Sequence, residues 1–440
     1  MTIKVKSLFY DLKKNIFNSD GLKTTFFTSI VKGFGIFFGI CLSLFLGNNL
    51  GADGLGIINL SHRIATILLI FCLLGLPTVV VKETSIAVSR QNWFHINSVI
   101  KTSLFLSLIT GVLFVGLFYF LSEYVTENIF HDPRLKWPLL IALFAIFFQI
   151  ISRIFAAGSR GYYKIWQSSL VDNVLSLALV LIILLLIYAF KYEITVINVA
   201  WVYAISRIIV AIFITNYFNS VKVKIDKYNF IPKQLLIVSI PLLLVKSTKV
   251  ISISIDSLMI GNFLTTNEVG IYSISVRIAM VSSLFLQITN AVLGPKIASM
   301  YANGKTIELE LLVQKVTRIL FILSIITTLI IILFGKNILS FWGVDFISGY
   351  HPLIILSVGQ IFNISLGCIG LFMIMCDQQN IWGGVTIFSA LLNIVLNYFL
   401  IQFYGINGAA FATSATIIIL NITGYFLVKK RIGIKTIKLI

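Results

Sequence analysis

The sequence predicts an all-α polytopic membrane protein: twelve transmembrane helices in two six-helix bundles, related by a parallel internal repeat around a central cationic cavity. Three observations predict it. First, hydrophobic residues make up 58% of the chain and mean hydropathy is +1.00, whereas soluble chains are about half apolar. Second, the apolar residues form continuous blocks long enough to span a bilayer as helix, about 20 residues each. A membrane barrel would instead show alternating strands of about ten residues. Third, the chain nearly repeats itself. Segment 47–65 returns as 261–279, offset by 214 positions, with nine of nineteen residues identical, among them Gly47/Gly261, Gly56/Gly270 and Arg63/Arg277. The same offset carries Val31-Lys32 onto Val245-Lys246.

Taken in order, the spanning blocks fall at 24–46, 57–81, 99–121, 135–157, 167–190 and 196–217 in the first half. In the second half they fall at 234–262, 269–293, 315–335, 351–375, 381–403 and 408–428. Residues 1–21 are basic and amphipathic, with Lys4, Lys6, Lys13 and Lys14 set against Leu8, Phe9, Leu12 and Ile16. They read as an interfacial cytoplasmic helix and lack the apolar stretch of a cleavable signal peptide. Residues 22–218 form the first bundle and 234–428 the second. The basic stretch 219–233, closed by Pro232, is the linker, and 429–440 is a basic tail. Six spans per half make the repeat parallel, with its axis along the membrane normal.

Basic residues fix the orientation. With the N-terminus inside, cytoplasmic segments hold 23 of the 34 Lys and Arg, and the outer segments hold four: Arg134, Lys136, Lys191 and Lys336. That asymmetry follows the positive-inside rule and explains most of the +18 net charge, so nucleic-acid binding is not needed to account for it. Both termini are expected inside. Cys41, Cys72, Cys368 and Cys376 are scattered without a Cys-x-x-Cys pair, so neither a disulfide framework nor a zinc site is suggested.

Seven cations remain inside the spans: Lys32, Arg63, Arg153, Arg207, Lys246, Lys249 and Arg277. Only two acids accompany them, Asp172 and Asp256. An unpaired charge at the bilayer centre costs several kcal/mol, so some of these cations face water or await an anionic ligand. The repeat places Lys32, Arg63, Lys246 and Arg277 symmetrically. Their depths suggest a low pair (Lys32, Lys246) and a high pair (Arg63, Arg277), roughly 10–15 Å apart at helical rise. Arg153 is expected to snorkel and Arg207 to pair with Asp172. Lys249 and Asp256, two turns apart, share a polar stripe. Chains built of hydrophobic repeats are typical of transporters, with the site at the repeat interface.

Several motifs carry a family resemblance. Leu46-Gly47 followed by Gly51-Ala52-Asp53-Gly54-Leu55-Gly56, then Gly75-Leu76-Pro77, resembles the signature of lipid-linked polysaccharide flippases. So does the run Ile255–Phe263 into Val269-Gly270-Ile271-Tyr272-Ser273. Asn393 and Asn397 followed by Tyr404-Gly405-Ile406-Asn407-Gly408-Ala409-Ala410-Phe411-Ala412-Thr413 is similar to the family's C-terminal pattern. The order and spacing of these motifs across nearly the whole chain resemble the O-antigen flippase family. That family sits in the superfamily of multidrug, oligosaccharidyl-lipid and polysaccharide exporters.

The resemblance implies a lipid-linked oligosaccharide substrate, an undecaprenyl pyrophosphate carrying an O-antigen or similar unit. It also implies alternating access in a bacterial inner membrane and a role in lipopolysaccharide or other surface polysaccharide biosynthesis. A polysaccharide polymerase and a chain-length regulator are the implied partners, alongside membrane lipids. No covalent step is needed, so no enzymatic activity and no cofactor are expected, apart from coupling to H⁺ or Na⁺. The candidate headgroup residues are Arg63, Arg277, Lys32, Lys246 and Lys249. Candidate sugar contacts are Asn290, Asn363, Asn393 and Asn397, and candidate coupling residues are Asp256 and Asp172. The main alternative is a multidrug or cation antiporter. Such proteins usually carry an early carboxylate, and between Asp20 and Glu83 this chain has only the loop residue Asp53. A lipid II flippase would usually show fourteen spans. A membrane glycan polymerase would carry a long outer loop, and the outer loops here are short.

Overall fold

The computed structural model describes residues 20–223, 227–366 and 368–436; the expected interfacial segment 1–21 falls almost wholly outside them. The described chain is nearly all helix. In order these helices are α1 (Asp20–Leu73), α2 (Leu76–Ser89), α3 (Trp93–Tyr124), α4 (Lys136–Gly161), α5 (Ile165–Leu170) and α6 (Ser176–Ala189). Then come α7 (Val196–Val221), α8 (Pro232–Phe263), α9 (Thr266–Ala279), α10 (Ser283–Ala302) and α11 (Thr306–Ser340). The last three are α12 (Tyr350–Ser365), α13 (Ile369–Met375) and α14 (Gln379–Arg431). Among the described residues, seven helices are long and apolar enough to cross a membrane, or up to nine if each of two bent pairs is one span.

The two longest helices each double back. Asn59 donates to Ser273 Oγ at 2.7 Å, and Arg277, one turn further along α9, donates to the carbonyl of Gly39. Residues 39 and 59 therefore lie at similar depth, although along an unbroken helix they would stand about 30 Å apart. The reversal is at Gly51, whose φ of 68° and ψ of −174° belong to a region essentially restricted to glycine. In α14, Asn393 donates to Thr413 and Thr416 at 3.3 and 3.4 Å. The turn is at Gly405, φ 58° and ψ −140°.

Two expected spans are broken. The block 269–293 bends by 52° between α9 and α10, and the block 234–262 bends by 43° within α8, downstream of Pro241. Proline loosens the turn that precedes it, so Pro241 does not by itself explain a bend about eight residues further on.

The two halves of the chain meet most closely where α1 crosses α9. A Cβ on Gly56 would lie 1.7 Å from the Thr266 carbonyl oxygen, and one on Gly270 would lie 1.9 Å from that of Ala52. The helices touch backbone to backbone, the approach that small residues permit. The glycine contacts are reciprocal at the 214-residue offset, and so are the donors of two amide contacts. Asn48 donates to the Phe341 carbonyl and Asn262 to that of Ile129, both at 2.7 Å. By the charge rule this is the end expected to face outward. One core cluster there mixes both halves, including Leu46, Leu60, Phe130, Tyr272 and Phe346. The inner end of the second half has a core of its own around Leu293, Phe372, Met373 and Val428. The inner end is tied to the C-terminal segment by Gln314, which donates to the Lys435 carbonyl at 3.0 Å.

Candidate functional site

A cavity of about 330 Å³ lies beneath the α1–α9 crossing, lined by Ile36, Gly39, Ile40, Asn59, Arg63, Ser273, Arg277 and Gln287 among others. The two repeat-matched arginines thus share one cavity, supplied by the second arm of α1 and by α9. Arg277 spends one N–H on the Gly39 carbonyl across the halves. No carboxylate lines this cavity; Asp256 reaches Arg63 only through its field.

Arg277 also borders a second cavity of about 240 Å³. This slot between α1, α9 and α11 is almost wholly apolar, with walls from Ile278, Ile330, Ile331, Ile338 and Trp342. Its edge is fixed by Trp342, whose ring N–H donates to Ser43 Oγ at 3.1 Å. The cationic chamber and the greasy one share Ile40, Arg277 and Val281 in their walls, so a single guanidinium borders both.

Lys32 and Lys246 are solvent-exposed and do not line the arginine cavity. Lys246 lies instead within Coulombic reach of Arg153, Arg160 and Asp172. The side chain of Lys249 is outside the described residues, so its expected stripe with Asp256 is as well. Asp172 does not pair with Arg207 as expected. Its two oxygens are taken by Arg153 Nη1 at 2.9 Å and Arg160 Nη2 at 3.2 Å. Arg153 and Arg160 stand seven residues apart on α4, so they share a face. That face meets the single π-helical turn Val171–Leu175 that presents Asp172. Arg153 therefore turns inward to a partner and does not snorkel.

Asp256 is buried at 7% exposure and accepts three hydrogen bonds. The donors are Thr413 Oγ1 at 2.6 Å, Asn397 Nδ2 at 2.8 Å and the Tyr272 hydroxyl at 2.9 Å. Asn397 also donates to Asn393 Oδ1 at 3.1 Å. Asn393 and Asn397 are both buried, so in this conformation they serve Asp256 and present no surface to a sugar, contrary to expectation. Asn363 donates to Gln360 and accepts from Asn421, at 2.9 and 3.3 Å, a ladder of amides inside the second half. Asn290 carries a buried carbonyl oxygen with no partner among the described residues.

At the outer end a polar latch crosses the halves. Thr266 Oγ1 donates to Asp53 Oδ1 at 2.6 Å and to Asp132 Oδ2 at 3.0 Å. Arg134 bridges the same two carboxylates, at 3.1 Å to Asp53 Oδ1 and 2.9 Å to Asp132 Oδ2. Burial pushes the Asp132 carboxyl up, but hydrogen bonds from Arg134 and Thr266 outweigh it and hold the group below the usual carboxylate range. Sequence reasoning did not single out Asn59, Ser273, Arg160 or Tyr272 for the roles the structure gives them. Asn59 and Ser273 do lie at the 214-residue offset, but they are not identical, so identity matching passes over them.

Among the described residues, no group of three or more His, Cys, Asp or Glu could hold a metal ion.

Comparison with known proteins agrees with this geometry. The profile of the family described as "Polysaccharide biosynthesis protein" matches residues 22–301, well over half of the chain, and that of the MatE family matches residues 241–399. The chain is 24% identical over 267 residues to the capsular polysaccharide biosynthesis protein CapF of Staphylococcus aureus, covering 59% of this chain and 65% of that one. It is 28% identical over 160 residues to the probable low-salt glycan biosynthesis flippase Agl15 of Haloferax volcanii, covering 36% of this chain and 34% of that one. The matches therefore span less than two thirds of each relative.

Two solved structures share the fold. An inward-facing multidrug resistance MATE family transporter superposes with a TM-score of 0.75 at 17% identity, over 92% of this chain and 98% of that one. The inward closed form of the lipid II flippase MurJ gives 0.75 at 16% identity, over 91% and 87%. Nearly all-helical architecture, apolar crossings and these likenesses make the chain a multi-pass membrane protein, and the profile match over residues 22–301 makes it a member of the polysaccharide biosynthesis protein family.

Proposed function

We propose that this protein is a flippase that carries lipid-linked oligosaccharide units from the cytoplasmic to the outer face of a bacterial inner membrane, with both termini inside. The substrate is a polyprenyl pyrophosphate bearing a surface-polysaccharide repeat. The observation that carries this reading is the pairing of chambers at Arg277. An amphiphile with an anionic head and an apolar chain fits a cationic cavity that shares a wall with an apolar slot. A pyrophosphate–sugar head cannot cross hydrocarbon alone, and guanidinium groups replace part of its lost hydration. The membership of a polysaccharide biosynthesis family, and the naming of Agl15 as a probable flippase, support the same direction.

The mechanism is alternating access in a chain of twelve passes, six in each half. The head enters from the inner side, where part of the second half keeps a core of its own, and binds between Arg63 and Arg277 while its tail lies in the slot. Parting of the α1–α9 crossing then exposes it outside. Transport needs no bond to be made or broken in the substrate. Asp256, a buried carboxylate with three neutral donors, is the candidate carrier of a coupling proton or Na⁺. Asn290 and Asn363 are the amides left as candidate sugar contacts.

The test is translocation of labelled undecaprenyl-pyrophosphate oligosaccharide in proteoliposomes. We expect the wild type to expose the head to an outside reagent, and the Arg63→Gln/Arg277→Gln double variant to lose at least about tenfold in rate, since each change removes charge-assisted hydrogen bonds worth about 1.5–3 kcal/mol. A folded wild type that moves no headgroup under either a proton or a Na⁺ gradient would favour the second reading, a drug or ion exporter, which the MatE profile match keeps in view.

A further inference from the structure

Arg153, Arg160 and Lys246 belong to no part of the arginine cavity, yet they gather around one carboxylate. Asp172 binds both guanidiniums, one through each oxygen. The two arginine side chains remain 36% and 34% exposed while Asp172 is 9% exposed, so the cations face water and the acid sits behind them. Arg160 keeps a buried Nε–H with no acceptor among the described residues. Lys246, exposed on α8, brings a charge from the other half of the chain. Arg207 adds its field to the same group. One carboxylate thus stands among four cations at the seam between the halves. The acid is presented by a π-helical turn, a feature often retained at functional sites.

Each guanidinium gives the carboxylate one contact, and charge-assisted bonds of the same kind hold phosphate oxygens. Phosphate brings an additional oxygen, which could serve the idle Arg160 donor and Lys246 as well. We propose that Arg153, Arg160 and Lys246 form a second oxyanion subsite, one that receives a phosphoryl group of the lipid-linked substrate, and that Asp172 is its internal competitor, holding the guanidiniums until the phosphoryl group displaces it. This rests on the flippase reading and locates where the head first docks. Arg207 lies within Coulombic reach of Arg153, and Tyr203 within reach of both Arg207 and Arg277. Positive potential therefore runs on from the subsite to the arginine cavity. A carboxylate at the first stop keeps binding there weak enough for the head to move on.

The competitor role has a signature that a merely structural ion pair lacks. Removing the acid should tighten anion binding. Binding of undecaprenyl pyrophosphate to the full chain in nanodiscs would be measured by native mass spectrometry, and binding of inorganic pyrophosphate by calorimetry. Asp172→Asn should bind the lipid several-fold more tightly, and Arg153→Gln/Arg160→Gln should bind it about tenfold or more weakly, as loss of charged hydrogen bonds predicts. A folded Asp172→Asn that binds no more tightly than wild type would overturn the proposal. Should that variant not fold, Lys246→Gln decides, because the lysine is exposed: several-fold weaker binding supports the subsite, and unchanged binding overturns it. Binding of inorganic pyrophosphate without the lipid would overturn the lipid headgroup as its source. Wild type that binds neither probe would overturn the flippase reading itself. Lipid binding lost in Arg63→Gln/Arg277→Gln but intact in Arg153→Gln/Arg160→Gln would overturn the subsite alone.

Discussion

The two ends of the seam between the halves are built on opposite principles. At the outer end, backbone meets backbone at Gly56 and Gly270. Asn48 and Asn262 cross-brace the halves, and two carboxylates share one arginine and one threonine. At the inner end the second half has its own core, the halves touch backbone to backbone only around Gly75 and Ser239 among the described glycines, and cations gather around Asp172. A dry, interdigitated contact has two states, joined or parted, because packed interfaces do not deform continuously. A wet, charged cleft has no such restriction and stays open to an anion. The contrast teaches which end must break as a unit during transport and which end selects what is carried.

The largest effect should come from filling the outer contact. Gly56→Ala or Gly270→Ala places a methyl group inside a neighbouring carbonyl, so α1 and α9 must part or the protein must pay in strain. Overpacking of this kind costs about 1–3 kcal/mol, and occasionally more. Because the closed outer end is what suffers, the population should shift toward outside-open. In a background carrying Asn59→Cys and lacking the native cysteines, a membrane-impermeant maleimide should label from outside at least about fivefold faster once Gly270→Ala is added, the factor that 1 kcal/mol corresponds to. Unchanged labelling with unchanged thermal stability would show that the crossing is not the outer closure.

A smaller effect on outside labelling, though a large one on stability, is expected at Asp256, which belongs to neither end. Asp256→Ala leaves the hydroxyls of Tyr272 and Thr413 and the amide of Asn397 without their acceptor, and each buried orphan costs about 1–3 kcal/mol. Asp256→Asn keeps the shape and one acceptor oxygen, so it should lose less stability while removing the titratable group. If the carboxylate carries the coupling ion, Asp256→Asn abolishes the gradient dependence of translocation and preserves binding. Retention of full gradient dependence would make Asp256 a purely structural hub.

The contrast between the ends was unevenly legible in the sequence. The outer end could be read because it depends on residue types at a fixed offset: only glycine permits the approach at 56 and 270, and the repeat displays both. The shared cavity of Arg63 and Arg277 follows from the same offset. The inner end could not be read, because it depends on which helix faces meet. Depth alone made Arg207 as good a partner for Asp172 as Arg153 was. What decided it is that Arg153 and Arg160 lie on one face of α4 and that a π-helical turn swings Asp172 toward that face. Asn393 and Asn397 look like cavity amides by spacing. The hairpin at Gly405, which brings Thr413 and Thr416 beside them, buries them instead.

The smallest effect should be at the latch, and its pH dependence sharpens the comparison. Asp132 has a lowered folded-state pKa. A group of that kind contributes its stability above the unfolded value of about 3.9 and loses it as pH falls through the lower folded value. The latch is therefore fully made from pH 8 down to about pH 5 and loosens only in stronger acid, below about pH 4. Arg134 is 61% exposed and Asp53 37%, so Asp53→Asn removes an exposed pair worth at most about 1 kcal/mol. Outside labelling at Asn59→Cys should then rise by no more than about fivefold, with the ratio to wild type constant between pH 5 and 8. A rise in the wild-type labelling rate between pH 8 and 6, beyond that of the reagent itself on a free thiol, would mean that some other group titrates at the closure. The outer end would then be a proton sensor and not the passive, packed contact that the backbone crossing at Gly56 and Gly270 makes it.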